Sequence, residues 1–288
     1  MASVINTNLL SLNAQRNTSA SQSSLATSLQ RLSSGLRVNS ARDDAAGLAI
    51  SERLNAQVRG SNVAIRNAND GISLSQTAEG ALAKVGDSLQ RMRELAVQSR
   101  NATNTSADRT SLDKEFGELA KEIQRVMGGT TFNGRAILAA DSGTQTFQVG
   151  ANVTSNDRID VATANMTTDT TVVAVAGSDN LGTGRAVITA AAGAEAAIDT
   201  VITNIDTALD TVNSQRATLG ASQNRLDAVI SNLQISVENQ SAAKSRITDA
   251  DFAQETANLS RANILQQAGN AMIAQANQVP SQVLSLLR

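Results

Sequence analysis

The sequence predicts a mainly α-helical protein, with long antiparallel helices that form a coiled-coil or helical-bundle rod and a small β-hairpin region. Three observations support this fold class. Apolar residues recur at alternating spacings of four and three over most of the chain, as in helices that pack on helices. Aromatic residues make up only 1% of the 288 residues, although they dominate the cores of most compact domains. Pro occurs once, so long stretches contain no helix breaker.

The N-terminal half contains two such apolar seams. The first seam consists of Leu25, Leu29, Leu32 and Leu36. The second seam consists of Leu82, Val85, Leu89, Met92 and Ala96. Each predicts a helix with one apolar face, and a helix of about 50 residues is roughly 75 Å long.

The C-terminal half continues the pattern. One seam runs through Ile198, Ile202, Ile205, Leu209 and Val212, and Leu226, Ile230, Leu233 and Val237 extend it. The last seam comprises Leu265, Ala268, Met272, Ala276, Val279, Val283 and Leu286. Pro280 lies within this last seam and is expected to kink or shorten its helix.

Three helix starts match the capping-box pattern, in which a Ser or Thr and an acid three residues later satisfy free backbone N–H groups. The pairs are Ser40 with Asp43, Thr105 with Asp108, and Thr248 with Asp251.

The middle of the chain has a different composition. Residues 144–149 and 159–161 alternate apolar and polar side chains, and 170–175 are rich in β-branched residues. These segments predict short strands, with a loop at 177–180. The expected result is a small sheet or hairpin beside the helices.

Composition excludes most enzyme classes. The chain has no Cys and no His, which removes thiolate and Ser-His-Asp nucleophiles and zinc sites rich in Cys or His. Asp43 and Asp44 form the only adjacent acid pair and are explained as favourable charge in a first helical turn. We expect no catalytic residues, no cofactor and no metal. The net charge of −2 and the absence of a long apolar run predict neither nucleic-acid binding nor membrane insertion.

The two ends share an unusual charge pattern. Residues 1–42 contain four Arg and no acid, and residues 256–288 contain two Arg and neither acid nor Lys. Their apolar seams are flanked by Ser, Asn and Gln, which pack against neighbours without the desolvation cost of an ion. We therefore expect the ends to order only when they pack against copies of the same chain, as a coiled coil in a homopolymer.

Several long segments resemble the bacterial flagellins. The N-terminal segments are VINTNLLSLNAQ (4–15), LQRLSSGLRVNSARDDAAGLAISERL (29–54) and ANDGISLSQTAEGAL (68–82). The central segments are TTFNGRAIL (130–138) and FQVGAN (147–152). The C-terminal segments are LGASQNRL (219–226), RITDADFAQETANLSRANILQQAG (246–269) and VLSLLR (283–288).

This resemblance implies a domain plan. Residues 1–40 and 249–288 would form the terminal coiled-coil core domain. Residues 41–175 and 191–248 would form the N- and C-terminal parts of a rod domain. Residues 176–190 would be a short loop in place of the outer variable domains.

The resemblance also implies partners and a location. The chain would polymerise with itself and meet an export chaperone specific for flagellin, a filament cap and hook–filament junction proteins. It would leave the cell through the flagellar type III export channel without a cleaved signal peptide and form the extracellular filament.

Two recognition sites follow from the resemblance alone. LQRMRELAVQ (89–98) is similar to the helix bound by the host Toll-like flagellin receptor. The matching positions are Gln90, Arg91, Arg93, Leu95, Gln98 and Glu115. The ending is similar to the one bound by the cytosolic inflammasome sensor, at Leu284, Leu286 and Leu287.

Two other functions stay open at this point. A hook–filament junction protein of the same family shares both terminal patterns. A cytoplasmic helical signalling hairpin also has long helices rich in Ala, Ser and Gln, but a β-rich middle does not suit it.

Overall fold

A computed structural model describes residues 7–189 and 195–286, with side chains up to residue 278 in the last helix. The helices are α1 (Leu9–Ser34), α2 (Ala45–Arg100), α3 (Ser106–Gly129), α4 (Thr170–Ala176), α5 (Glu195–Thr248) and α6 (Phe252–Leu286). The strands are β1 (Thr131–Phe132), β2 (Arg135–Ala136), β3 (Gly143–Gln148) and β4 (Arg158–Thr163). The predicted fold class, long helices with a small antiparallel β region, is confirmed.

The chain divides into two compact units. The terminal unit comprises Met1–Val58 and Glu238–Arg288, and the central unit comprises Arg59–Val237. The domain limits predicted at residues 40 and 248 lie at or beside breaks between helices, and they stay predictions.

The core of the central unit is built from the predicted seams. Leu82, Leu89 and Met92 of α2 are fully buried, as are Ile198 and Ile205 of α5. Phe116, Ala120, Ile123 and Met127 of α3 are buried with them. The apolar spacing thus identified the inward faces of α2 and α5 correctly.

Two short hairpins form the β region. In the first, Asn133 and Gly134 adopt φ of 49° and 78° between β1 and β2, as in the tight turns that join antiparallel strands. In the second, β3 pairs with β4, with Phe147 opposite Ile159. Ile159 and Val161 point into the core, as their alternation predicted.

The prediction of a strand at 170–175 is wrong. These residues form α4, whose N-cap Asp169 accepts a hydrogen bond from the N–H of Thr171 at 2.9 Å. Val172, Val175 and Ala176 are buried, at the spacing of three and four that places side chains on one helix face. Burial of that face outweighs the β propensity of the branched residues.

The three predicted helix starts have different outcomes. Thr105 and Asp108 form the expected capping box at the start of α3. Ser40 and Asp43 are hydrogen-bonded but lie before α2. Instead, Asp44 accepts from the N–H of Gly47, near the start of that helix.

Thr248 likewise does not begin a helix, since it is the last residue of α5. Asp251 caps α6 by accepting from the N–H groups of Ala253 and Gln254. The helix starts predicted at Ser40 and Thr248 were misplaced for the same reason. In each case an Asp itself caps the helix that follows it. At the other end of α6, Pro280 does not shorten the helix, which continues to Leu286.

Candidate functional site

The most distinctive surface of the molecule is the antiparallel pair of α1 and α6 in the terminal unit. Thr18 lies beside Gly269, and Arg31 near one end of α1 bonds Glu255 near the start of α6. Positions seven residues apart line the contact, as in a coiled coil. We call them the inner stripe: Ser11, Thr18, Leu25 and Leu32 on α1, and Glu255, Ala262, Gly269 and Ala276 on α6.

The inner stripe is made of small side chains where the helices are closest. A Cβ atom placed on Gly269 would lie only 2.5 Å from Oγ1 of Thr18. Any larger residue at 269 would therefore force either the side chain of Thr18 or the helix backbone to move. This contact explains a glycine inside a helix, where it otherwise costs about 1 kcal/mol relative to Ala.

Polar side chains bond across the pair. Nδ2 of Asn8 donates to the carbonyl oxygen of Ala276 at 2.7 Å, and Oγ of Ser11 donates to Oδ1 of Asn277 at 2.9 Å. Arg31 pairs with the nearly buried Glu255 at 3.1 Å. The carboxylate of Glu255 also lies in the first turn of α6, where negative charge suits the helix dipole.

The chain crosses between helices beside this pair. Gly35 ends α1 with φ of 71°, a conformation that favours glycine. Leu36 then pairs with Asp249 as a short antiparallel bridge, and the N–H of Arg37 donates to Thr248 at 2.7 Å. The segments that follow α1 and precede α6 are thus bonded to each other.

Large apolar side chains of the terminal unit face outward. We call them the outer apolar surface: Leu9, Leu10, Leu12 and Leu29 on α1, and Ile264, Leu265 and Met272 on α6. Leu10, Leu265 and Met272 also line a groove of about 450 Å³. The groove has no charged lining residue among those described.

The residues of the predicted polymerisation seams are divided between the outer apolar surface and more buried positions. Leu29, Leu265 and Met272 are at least half exposed. Leu25, Leu32 and Leu36 are half-buried. The side chains of Val279, Val283 and Leu286 lie outside the described residues, as do those of Leu284 and Leu287.

The predicted receptor site lies on the central unit. Gln90, Arg91, Arg93, Gln98 and Glu115 are exposed. Leu95 is only 1% exposed and packs in the core with Met92, so its side chain is not part of the surface.

Ion pairs organise this exposed face of α2. Arg91 bonds both Glu94, at 2.8 Å, and Glu115 of α3, at 2.9 Å. The hydrogen bonds to Glu94 and then to Glu115 raise the pKa of Arg91 above its ordinary value. Arg93 bonds Asp206 of α5 at 2.7 Å. The face is therefore a fixed arrangement of charges spanning three helices.

Sequence reasoning missed a buried group of hydrogen bonds around Asp113 in the central unit, which we call the clamp. Asp113 accepts two hydrogen bonds from Arg185, the shorter at 2.6 Å, and one from the N–H of Ile188 at 3.0 Å. Ser99 donates to the carbonyl of Ile188 at 2.6 Å. Burial raises the pKa of Asp113, but the bonds from Arg185 and Ile188 outweigh it, and the pKa stays below its ordinary value.

The clamp fastens the loop that follows α4. The side chain of Gln124 on α3 bonds the carbonyl of Gly177 at the start of that loop. No local pattern could have revealed these contacts, because Asp113 and Arg185 are 72 positions apart.

Neither a metal-ligand cluster nor a membrane span is found in the described parts of the chain. No group of three potential metal ligands occurs among the described residues. Within the same ranges, no helix is long and apolar enough to cross a membrane. What the molecule offers is an uncharged apolar surface on two paired helices.

Comparison with known proteins agrees with the sequence resemblance. The bacterial flagellin N-terminal helical region matches residues 5–143, and the bacterial flagellin C-terminal helical region matches residues 202–287. A flagellin of Halalkalibacterium halodurans is 47% identical over 285 residues, covering 99% of this chain and 100% of the relative. A flagellin of Bacillus subtilis is 41% identical over 302 residues, with 99% of each chain covered. The crystal structure of Bacillus cereus flagellin is 32% identical, covers 58% of this chain and 88% of its own, and superposes with a TM-score of 0.47.

Proposed function

Because this chain belongs to the bacterial flagellin family and is a structural subunit of the flagellar filament that drives swimming, we propose that its outer apolar surface is the contact through which it polymerises. Relatives of this family form the extracellular filament. The chain is a short flagellin without outer variable domains, and it is not an enzyme.

One observation carries the proposal, namely the large apolar side chains left exposed on α1 and α6. Leu10, Leu265 and Met272 are each more than half exposed, and the groove between them has no charge among its described lining. Burying such a side chain contributes about 1.5–3 kcal/mol. Neighbouring subunits would gain this energy without desolvating an ion.

Seeded polymerisation tests the proposal. We would mix monomer with sheared filament fragments and examine it by negative-stain electron microscopy, beside a variant lacking residues 256–288 and a Leu265→Asn variant. Leu181→Asn is the matched control, because Leu181 is also exposed but lies in the central unit. We expect filaments from the full chain and the control alone. Normal filaments from Leu265→Asn and from the truncated chain would overturn the proposal.

We also propose that the exposed face of α2 binds the host Toll-like flagellin receptor. Arg91 supports this, because it is solvent-exposed and held in place by Glu94 and Glu115. The surface would comprise Gln90, Arg91, Arg93, Gln98 and Glu115, without the buried Leu95. Its normal role would be subunit packing, which the host exploits.

Receptor signalling by purified variants tests this second role. Arg91→Ala is expected to weaken both signalling and filament assembly. Arg125→Ala is the control, because Arg125 is an exposed arginine whose ion pair, with Glu122, lies within α3 alone. Unchanged signalling by Arg91→Ala would remove Arg91 from the receptor surface.

The remaining partners are proposed from family membership. An export chaperone would hold residues 249–288 before export, the filament cap would promote folding at the tip, and junction proteins would join the filament to the hook. Export would use the flagellar type III channel without a cleaved signal peptide. Amino-terminal sequencing of secreted subunits checks the last point, since a shortened terminus would contradict it. The ending with Leu284, Leu286 and Leu287 stays a prediction for the cytosolic sensor.

A further inference from the structure

Pro280 leaves one backbone carbonyl of α6 without its usual partner. In an α-helix the N–H of each residue donates to the carbonyl four positions earlier. Pro has no N–H, so the carbonyl of Ala276 receives no such bond from position 280. Ala276 is only 8% exposed, and a buried carbonyl without a donor is costly.

The side chain of Asn8 supplies the missing donor. Its Nδ2 donates to the carbonyl oxygen of Ala276 at 2.7 Å, while its Oδ1 accepts from the N–H of Ser11 at 3.1 Å. The second bond caps α1, since Asn8 is the N-cap residue. The opposite amide orientation would set a donor against a donor and an acceptor against an acceptor, so both bonds require this one.

We propose that Asn8 and Pro280 together fix the register of α1 against α6. Pro280 creates a free acceptor at one place on α6, and Asn8 is the positioning residue that binds it. We call this contact the register pin.

Arg31 with Glu255 and the bridge of Leu36 with Asp249 hold one end of the helix pair. The other end, near Asn8 and Ala276, needs a register contact of its own because the small residues of the inner stripe repeat. Small residues recur every seven positions on α6, at Ala262, Gly269 and Ala276. Sliding the helices by seven residues, about 10 Å, would again place small residues opposite the stripe of α1. The chain has a single Pro, so in the slipped register Asn8 would face the carbonyl of Gly269, which already has its usual helical donor. A single buried polar contact sets register in coiled coils in the same way.

Cysteine cross-linking tests the pin, because the chain contains no Cys. The pair Ser11→Cys with Asn277→Cys reports the described register, since those side chains touch at 2.9 Å. The pair Ser11→Cys with Asn270→Cys reports a slip of seven residues. Both pairs replace the same residue types. Cross-links would be quantified on soluble chain and on sedimented filaments.

Asn8→Ser separates the two roles of Asn8. Serine is a good N-cap, but it has no amide to reach Ala276. We expect the ratio of in-register to slipped cross-link to fall about five-fold, as for the loss of one net hydrogen bond. An unchanged ratio would overturn the pin.

Pro280→Ala tests the coupling. Alanine restores the N–H, so the carbonyl of Ala276 no longer needs Asn8, and Asn8→Ser should then change the ratio less than two-fold. An equal effect of Asn8→Ser in both backgrounds would overturn the link to Pro280. The pin is separate from the proposed polymerisation surface: absence of filaments from unmodified chain would count against that surface, whereas the cross-link ratio decides the pin.

Discussion

The two units of this flagellin differ in the size and polarity of the side chains that their helices bury. The central unit encloses large apolar residues such as Leu82, Met92 and Phe116. In the terminal unit, α1 buries Ser11, Thr18 and Ser28 and exposes four of its leucines, Leu9, Leu10, Leu12 and Leu29. From this difference we infer that the central unit can be stable by itself, whereas the terminal unit has less apolar burial to offset the entropy of ordering its residues.

The same contrast explains why the terminal unit suits a polymer. A subunit whose ends already buried their leucines would have nothing left to offer a neighbour. Here the inner stripe brings the two helices together, and the outer apolar surface is left for other copies in the proposed filament.

The largest effect is expected for a cavity in the central core. Leu82→Ala removes a fully buried side chain and should lower the unfolding free energy of the central unit by about 3–4 kcal/mol. Chemical denaturation of the monomer measures it. A loss below about 1 kcal/mol would contradict a self-sufficient central core.

The clamp at Asp113 should make the central unit sensitive to acid. Its pKa is lowered in the folded state, so its contribution is present above the unfolded pKa of about 4 and is lost as pH falls through the folded value. Asp113→Asn should cost about 2 kcal/mol at pH 7 and flatten the loss of stability below pH 4. Denaturation curves between pH 2 and pH 7 measure both effects. An unchanged acid slope would exclude Asp113 as a contributor.

Gly269→Leu tests the close approach in the terminal unit. The new side chain would collide with Thr18, and overpacking of this kind costs about 1–3 kcal/mol. We expect filaments that dissociate at a lower temperature. Gly80→Leu is the control, because a Cβ at Gly80 of α2 meets nothing within 4 Å. Equal dissociation temperatures for the two variants would contradict tight pairing of α1 with α6.

The smallest effect on folding belongs to the outer apolar surface. Leu29 is 50% exposed, so Leu29→Asn should change the unfolding free energy of the monomer by less than about 0.5 kcal/mol, yet it should slow seeded filament growth. Light scattering follows the growth.

In dilute monomer, hydrogen exchange should show weak protection of α1 and α6 beside strong protection of α2. Full protection of both ends would refute ordering upon assembly.

The sequence predicted the central unit better than the terminal one. Apolar spacing identified the buried faces of α2 and α5, because a core of large side chains leaves a strong periodic signal. The same logic directed attention to Leu29 and Leu265, which face outward, and missed Ser11 and Thr18. Small polar residues carry no hydropathy signal, so an interface built from them is invisible to such patterns.

Contacts between distant positions were also beyond sequence reasoning. Asp113 with Arg185, and Asn8 with Ala276, depend on how the helices fold back on one another. The residues proposed to face the receptor came from family resemblance, and the structure adds that Leu95 lies in the core. The helix α4 was missed because its branched residues favour strands, and only burial of one face explains its conformation.

The residues that pair in the terminal unit lie far apart in the sequence, and this separation affects the order in which the two units fold. Asn8 and the carbonyl that it binds are separated by 268 positions. Asn8 can pair only after both ends of the chain have come together. Contacts of such long range form slowly. We therefore expect the terminal unit to order after the central unit, so that its outer apolar surface is completed last.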